Sequence, residues 1–161
     1  MPTDAAGDRP PVSQVPNFEQ VAPGLLRGGQ PDADGIAWLE AHSVRTVIDL
    51  RGEGGEGPDN QAIAGAWKKA RCHSIPIPDM NPPTHEQVEE FLRLVDDPGN
   101  QPVFVHCKAG IGRTGTMIAC WRVAHGWDVD EAIRQEQFFS YAGSFAQESF
   151  VREFAATRIL P

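Results

Sequence analysis

The sequence predicts an α/β fold: a mostly parallel central sheet with helices on both faces. Three observations carry that prediction. Short, β-branched apolar runs alternate with stretches that repeat apolar residues at helical spacing. Clusters of Gly, Pro, Asp and Asn punctuate them. One run, Pro102-Val103-Phe104-Val105, passes directly into a glycine-rich loop and then into a helical pattern. Strands that alternate with helices pair in parallel and are covered on both sides. Ligands then bind at the carboxyl ends of the strands, which is where this loop falls.

The elements follow in order. Residues 1–17 are Pro-rich and polar and are expected to form a flexible tail, leaving residues 18–161 as a single domain. Residues 18–21 and 25–27 read as short strands around Pro23-Gly24. Asp32 is positioned to cap a helix reaching about His42, with Ile36, Trp38 and Leu39 inward. Residues 45–50 form a strand, residues 51–58 a glycine-rich acidic loop, residues 60–70 a helix and residues 72–77 a strand. Thr84 with Gln87 is a capping-box pattern, opening a helix whose apolar face is Val88, Phe91, Leu92 and Val95. Asp97-Pro98-Gly99 ends it. A helix over residues 114–125 follows the glycine-rich loop. Asp128 with Glu131 opens another to about Phe138. Ser144 with Gln147 opens the last, with Phe150, Val151 and Phe154 turned inward.

Composition narrows the function. The net charge of −8 opposes nonspecific nucleic-acid binding and adsorption to an anionic membrane. No apolar stretch reaches membrane-spanning length, and the start, MPTDAAGDRPP, has neither the basic nor the apolar region of a signal peptide. Three widely spaced cysteines give neither a disulfide framework nor metal-ligand spacing. No metal and no cofactor is expected.

The segment from His106 to Gly115 reads HCKAGIGRTG. A loop between a strand and a helix can aim successive backbone N–H groups into one concavity at the helix N-terminus, forming an anion site. Gly110 and Gly112 let the backbone close around the anion. Arg113 adds a planar fork suited to two phosphate oxygens. Cys107 lies at the base of the cup, where the positive field favours thiolate. The expected phosphate-binding residues are Lys108, Ala109, Gly110, Ile111, Gly112 and Arg113.

These ten residues resemble the signature of the cysteine-dependent protein tyrosine phosphatase superfamily. GLLRGGQP at residues 24–31, TVIDLR at residues 46–51 and IPIPD at residues 75–79 look like its small microbial dual-specificity members. The resemblance implies a hydrolase that dephosphorylates phosphotyrosine, and phosphoserine or phosphothreonine, in proteins through a cysteinyl-phosphate. Cys107 would be the nucleophile and Arg113 the clamp. Thr114 would support the sulfur as leaving group, besides any role in capping the helix, and His106 would orient the loop. Asp79 is the expected general acid, 28 residues before Cys107 in a proline-stiffened loop. Asp59 and Asp49 are the alternatives, although Asp49 suits an ion pair with Arg51 better. Arg27 also reads as a structural ion-pairing residue. Lys108 admits a second substrate class, phosphoinositides or inositol phosphates, while Ile111 replaces a second lysine typical of that branch. A phosphate-binding pseudoenzyme and a sulfurtransferase are the remaining readings.

The expected partners are therefore a phosphoprotein or small phosphorylated substrate, with phosphate as product and inhibitor. A thiolate enzyme needs reducing conditions, which points to the cytoplasm. Lys68, Lys69 and Arg71 read as a solvated helix end, Gln135 and Gln137 as candidates for holding a hydrolytic water, Cys72 as a strand-borne core thiol and Cys120 as core. A redox lock between Cys72 and Cys107 is the alternative for Cys72.

Overall fold

A computed structural model describes residues 9–52, 65–136 and 145–158. The strands are β1 (Glu19–Ala22), β2 (Leu25–Gly28), β3 (Thr46–Asp49), β4 (Arg71–Ser74) and β5 (Val103–His106). The helices are α1 (Ala33–Ala41), α2 (His85–Asp96), α3 (Gly112–Ala124), α4 (Val129–Arg134) and α5 (Phe145–Arg158), with a 3₁₀ turn at Pro98–Asn100.

The five strands lie in the order β1-β2-β5-β3-β4. β1 and β2 form an antiparallel pair; every other neighbour is parallel. β5 is central and fully buried, as its run of Val103, Phe104 and Val105 requires. Its last residue, His106, stands level with Gly28 of β2 and Asp49 of β3, and Asp49 is level with Ser74 of β4. Four carboxyl ends therefore form one row, and the segments that leave them converge.

Side-chain alternation separates two cores. Ile48, Val103, Val105 and Cys107 pack with Phe91, Met117, Ile118, Val151 and Phe154, beneath α2, α3 and α5. Leu26, Val47 and Phe104 pack on the other face with Leu39 of α1, Val15 and Trp67. The capping box of Thr84 and Gln87 is present. A cap contributes about 1 kcal/mol. Each large apolar side chain removed from water contributes about 1.5–3 kcal/mol, so the buried face of Val88, Phe91, Leu92 and Val95 dominates α2.

Four expectations need correction. The N-terminal tail expected over residues 1–17 is packed where it is described. Val15 is 1 % exposed, the Gln14 carbonyl accepts from the Asp32 N–H and the Pro16 carbonyl accepts from the Gly29 N–H. The strand expected over residues 72–77 ends at Ser74, because Pro76 has no N–H for the ladder; Ile75 and Ile77 stay buried as an irregular continuation. The helix expected over residues 60–70 lies partly outside the described residues, and residues 65–70 form turns. There the amides of Lys68, Lys69 and Ala70 donate to Glu40 Oε2 at 2.8, 2.7 and 3.0 Å instead of to helical carbonyls. Lys68 and Lys69 thus decorate a carboxylate-bound turn rather than a helix end. Lastly, the helix after Asp128 ends at Arg134, and Asp128 caps it through the Glu131 N–H; Phe138 and Ser144 lie outside the described residues.

Glu40 makes this turn pH-dependent. Partial burial raises its carboxyl pKa, but the three amides and the Lys69 charge outweigh burial and hold it below 4.5. A carboxyl depressed on folding stabilises above its unfolded value and loses that contribution as pH falls through its folded value. The melting temperature of the wild type should therefore exceed that of Glu40→Gln at neutral pH, and the difference should shrink below 4.5. Thermal melts across that window check this.

Candidate active site

From His106 the chain turns through residues 107–111 into α3. Cys107 is 2 % exposed, and its Sγ accepts the Gly110 N–H at 3.3 Å. Three successive carbonyls of the loop are held from outside. The Lys108 carbonyl accepts from the Gln30 N–H at 2.8 Å. The Ala109 carbonyl accepts from Asn17 Nδ2 at 2.8 Å, and the Gly110 carbonyl from Arg27 Nη2 at 3.4 Å. Gly110 has φ +81°, and a Cβ there would stand 2.5 Å from the Gly28 carbonyl carbon. A Cβ on Gly29 would stand 2.7 Å from the Ala109 oxygen. The end of β2 and the loop therefore touch backbone to backbone, which only glycine allows.

α3 begins with Ile111 as N-cap and no side-chain cap bond. Its first N–H groups and the positive end of its dipole are thus available to an anion. Arg113 is buried, donating from Nη1 to the Ile77 carbonyl at 3.0 Å, with Nη2 3.5 Å from Asp79 Oδ1. Asp79 is exposed, in a turn closed by the Asn81 N–H on the Pro78 carbonyl, with Asn81 Nδ2 on the Asp79 carbonyl. The next residue, Met80, has φ 69° and is 58 % exposed. A non-glycine residue in the left-handed region is held there at a cost and commonly marks a functional turn.

His106 Nδ1 lies 3.0 Å from the Cys107 carbonyl and must donate, since that oxygen has only lone pairs. Burial pushes the imidazole pKa down, with Asp49 and the Cys107 carbonyl opposing, so His106 is a neutral donor that fixes the Cys107 peptide. Asp49 is gripped by Arg51 through Nε at 3.0 Å and Nη2 at 2.7 Å. Burial raises the Asp49 carboxyl pKa, but the Arg51 fork, the Arg51 amide and the Arg51 charge hold it below 3.8. Behind them a cavity of about 30 Å³ is lined by Gln30, Asp49, Arg51, Cys72 and His106 among others. Gln30 Oε1 is buried without a partner among the described residues.

The structure thus brings Cys107, Arg113, Asp79, His106 and the loop residues Lys108, Ala109, Gly110, Ile111 and Gly112 into one cup. Lys108 and Ala109 are exposed at its rim. Thr114 lies inside α3 rather than at its cap; its hydroxyl is fully buried and has no hydrogen-bond partner among the described residues. Asp59 and Gln137 lie outside the described residues, and Gln135 is exposed at the end of α4. Cys120 is core, and burial raises its pKa. Cys72 is an exposed thiol rather than a core one, because β4 is an edge strand. It stands level with Val47, on the sheet face opposite Cys107, so the fold does not present it for a lock with Cys107.

Three residues near the loop escaped the sequence. Gln147 is buried, with Nε2 3.2 Å from where a Cβ on Gly112 would be. Its spacing with Val151 and Phe154 places it on the inward face of α5, a signal the sequence did carry. Glu136 is buried and takes both Arg27 Nη1 at 2.7 Å and Arg122 Nη1 at 2.5 Å on one oxygen. Asn17 reaches the loop across 92 residues. Among the described residues, no cluster of three or more His, Cys, Asp or Glu side chains is arranged to hold a metal ion, and no helix is long and apolar enough to cross a membrane.

A buried cysteine beneath an amide loop, with arginine at the start of the following helix, defines the cysteine-dependent phosphatases of tyrosine-phosphatase and dual-specificity type. Residues 10–153 match the family model for a DSP-PTPase phosphatase fused to NAD+ kinase, and the chain belongs to that family. It is 35 % identical over 99 residues to the chloroplastic NAD kinase 2 of Arabidopsis thaliana, covering 60 % of this chain and 10 % of that protein. It is 30 % identical over 131 residues to inositol diphosphatase DSP2 of Oryza sativa subsp. japonica, covering 78 % and 63 %. The chain therefore spans less than two thirds of the length of either relative. The crystal structure of Tk-PTP in the active form shares the fold, with a TM-score of 0.70 at 21 % identity, over 88 % of this chain and 97 % of that one.

The backbone contact between Gly110 and the end of β2 leaves no room for a methyl group. Gly110→Ala should displace the loop by a substantial fraction of an ångström. Misplacement on that scale costs about 10²-fold in rate. Phosphatase assays alongside thermal melts check this; near-normal turnover would show that the loop tolerates the shift.

Proposed function

We propose that the chain is a metal-independent phosphomonoester hydrolase acting through a cysteinyl-phosphate. The observation that carries the reading is the buried Cys107 sulfur under the Gly110 amide, with the Arg113 fork and the Asp79 carboxyl 3.5 Å apart at the same cup. The Cys107 thiolate attacks phosphorus, forming the S–P bond as the P–O bond to the leaving group breaks. Asp79 gives its proton to the departing oxygen. Water then attacks phosphorus with Asp79 as base, the S–P bond breaks and phosphate leaves. Arg113 and the loop amides meet the charge on the equatorial oxygens, an electrostatic contribution that needs no rearrangement during reaction. The buried Thr114 hydroxyl, unpartnered among the described residues, supplies a donor for the sulfur as it leaves. Asp79 Oδ1 lies 3.5 Å from Arg113 Nη2; a phosphate that takes the Arg113 fork releases the carboxyl toward the leaving oxygen.

For substrate we propose phosphotyrosine in proteins first, with phosphoserine and phosphothreonine as further substrates. The support is the exposed Met80 beside Asp79, which offers an apolar lip to an aromatic leaving group, and the net charge of −8, which opposes a polyanion. A second reading, an inositol phosphate or diphosphate, is favoured by the exposed Lys108 and by the likeness to the rice inositol diphosphatase.

A panel of phosphotyrosyl and phosphoseryl peptides, an aryl phosphate and inositol phosphates and diphosphates separates the two. Phosphotyrosyl peptides should have the highest kcat/KM. Cys107→Ser should abolish turnover throughout the panel yet keep vanadate binding, since a hydroxyl is far less ionised while the amide cradle is unchanged. Residual hydrolysis by Cys107→Ser would remove the mechanism.

Asp79→Asn tests the acid. It should slow kcat on poor leaving groups by about 10²–10⁴-fold. The loss should shrink for an activated aryl phosphate, whose leaving group departs unprotonated, when formation of the cysteinyl-phosphate limits the rate. The falling limb of the kcat/KM profile with pH should vanish and the rising limb should remain.

A further inference from the structure

The loop amides can face a phosphate only if the loop carbonyls face away from it. A peptide unit is planar and trans, so fixing one carbonyl direction fixes the next N–H in the opposite direction. The carbonyls of Lys108, Ala109 and Gly110 are each taken by a donor outside the loop: the Gln30 N–H, Asn17 Nδ2 and Arg27 Nη2. All three donors come from one N-terminal stretch, residues 17–30. The N–H groups fixed in consequence are those of Ala109, Gly110 and Ile111. One of them, the Gly110 N–H, points to the Cys107 sulfur.

From this geometry we infer that Asn17 and Arg27 are positioning residues for phosphate binding, an external template that turns the loop amides into the cup. The inference rests on the proposed hydrolase reading, because it assigns them to the site at which phosphate binds.

Each residue is itself held in place. Asn17 has φ 55°, in the left-handed region where Asn is the best tolerated residue after Gly. Val15 is buried against Gly28, and the Pro16 carbonyl takes the Gly29 N–H at 2.7 Å. The segment from Pro11 to Asn17 is thereby strapped across the end of β2. Arg27 is aimed by Glu136, which holds its Nη1 at 2.7 Å and leaves Nη2 to the Gly110 carbonyl. Arg122 binds the same Glu136 oxygen and fixes that carboxylate from α3.

The test uses two variants. Asn17→Gly removes an exposed side chain, tolerates the left-handed φ of 55° and should leave the fold intact. Arg27→Lys keeps a cation for Glu136 but offers no second fork arm to the Gly110 carbonyl. Two readouts separate positioning from stability: vanadate affinity, and the pH midpoint for inactivation of Cys107 by iodoacetate. A single hydrogen bond is worth about 0.5–1.5 kcal/mol, so Asn17→Gly should weaken vanadate binding by about 2–12-fold. It should also move the inactivation midpoint to higher pH, because a disordered cradle supports the thiolate less well. Arg27→Lys should shift both readouts in the same sense, and the double variant should shift them further. Wild-type vanadate affinity and an unmoved midpoint in Asn17→Gly, with Arg27→Lys also unmoved or changed only in melting temperature, would overturn the inference. Failure of the wild type itself to bind vanadate would instead overturn the hydrolase reading.

Discussion

The site depends on one constraint: the backbone of residues 107–111 must close under an anion with its carbonyls turned away from it. Backbone amides are obligatory donors and carbonyls obligatory acceptors, so the loop can present the former only where something else satisfies the latter. Here the satisfying groups lie on the neighbouring strand and on the segments before and after it. The contact is close because Gly29 and Gly110 carry no Cβ. The level register of Gly28, His106 and Asp49 brings those groups within reach. Sheet pairing, two glycines and three hydrogen bonds are thus parts of a single requirement.

Around that loop the charged residues form two separate layers. Above, Arg113 and Asp79 face solvent through the exposed carboxyl. Below and beside it, Arg27, Arg122 and Glu136 are buried, with the half-exposed Glu19 3.6 Å from Arg27. A buried carboxylate between two guanidiniums contributes little net stability once desolvation is counted. Removing Glu136 would leave two buried cations without their shared partner, so the cluster is costly to break even though it adds little when whole. Its geometric effect is to direct Arg27 at the Gly110 carbonyl. Asp49 and Arg51 form a second such unit, and their field acts on His106 through the sheet.

The turn that carries Asp79 differs in character from the loop it faces. The loop is buried at Cys107 and Gly110 and held on several sides. Asp79 and Met80 are exposed, their turn is closed by two local hydrogen bonds, and Met80 sits in a backbone region that suits glycine better. A firmly held anion cradle opposed by a lightly held carboxyl suits the proposed reaction, in which Asp79 would first give up a proton and then take one back. Arg113 bridges the two, since it bonds the Ile77 carbonyl at the root of that turn and lies beside the Asp79 carboxyl.

The strand–loop–helix around Cys107 was legible in the sequence because its determinants are local: a β-branched run, glycines at fixed spacing, an arginine one position into a helix. The helix caps at Asp32, Thr84 and Asp128 were legible for the same reason. Even Gln147 was within reach of helical periodicity. By itself the sequence determined the fold class and the strand–loop–helix that carries Cys107 and Arg113. Only the tertiary structure decided what the neighbours of that cup do. Residues 60–70 read as helical, yet the three amides of residues 68–70 are captured by Glu40 from another element. Residues 1–17 read as a tail because Pro and polar residues carry no periodicity, yet Val15 fills the core and Asn17 reaches the Ala109 carbonyl. Cys72 read as core because its strand was identified but not its place at the sheet edge. The deciding partners are remote in the chain: Glu40 lies 28 residues from the Lys68 amide, and Asn17 lies 92 from Ala109. A hydrogen bond formed across such a distance depends on sheet order and register, which no local pattern of residues encodes.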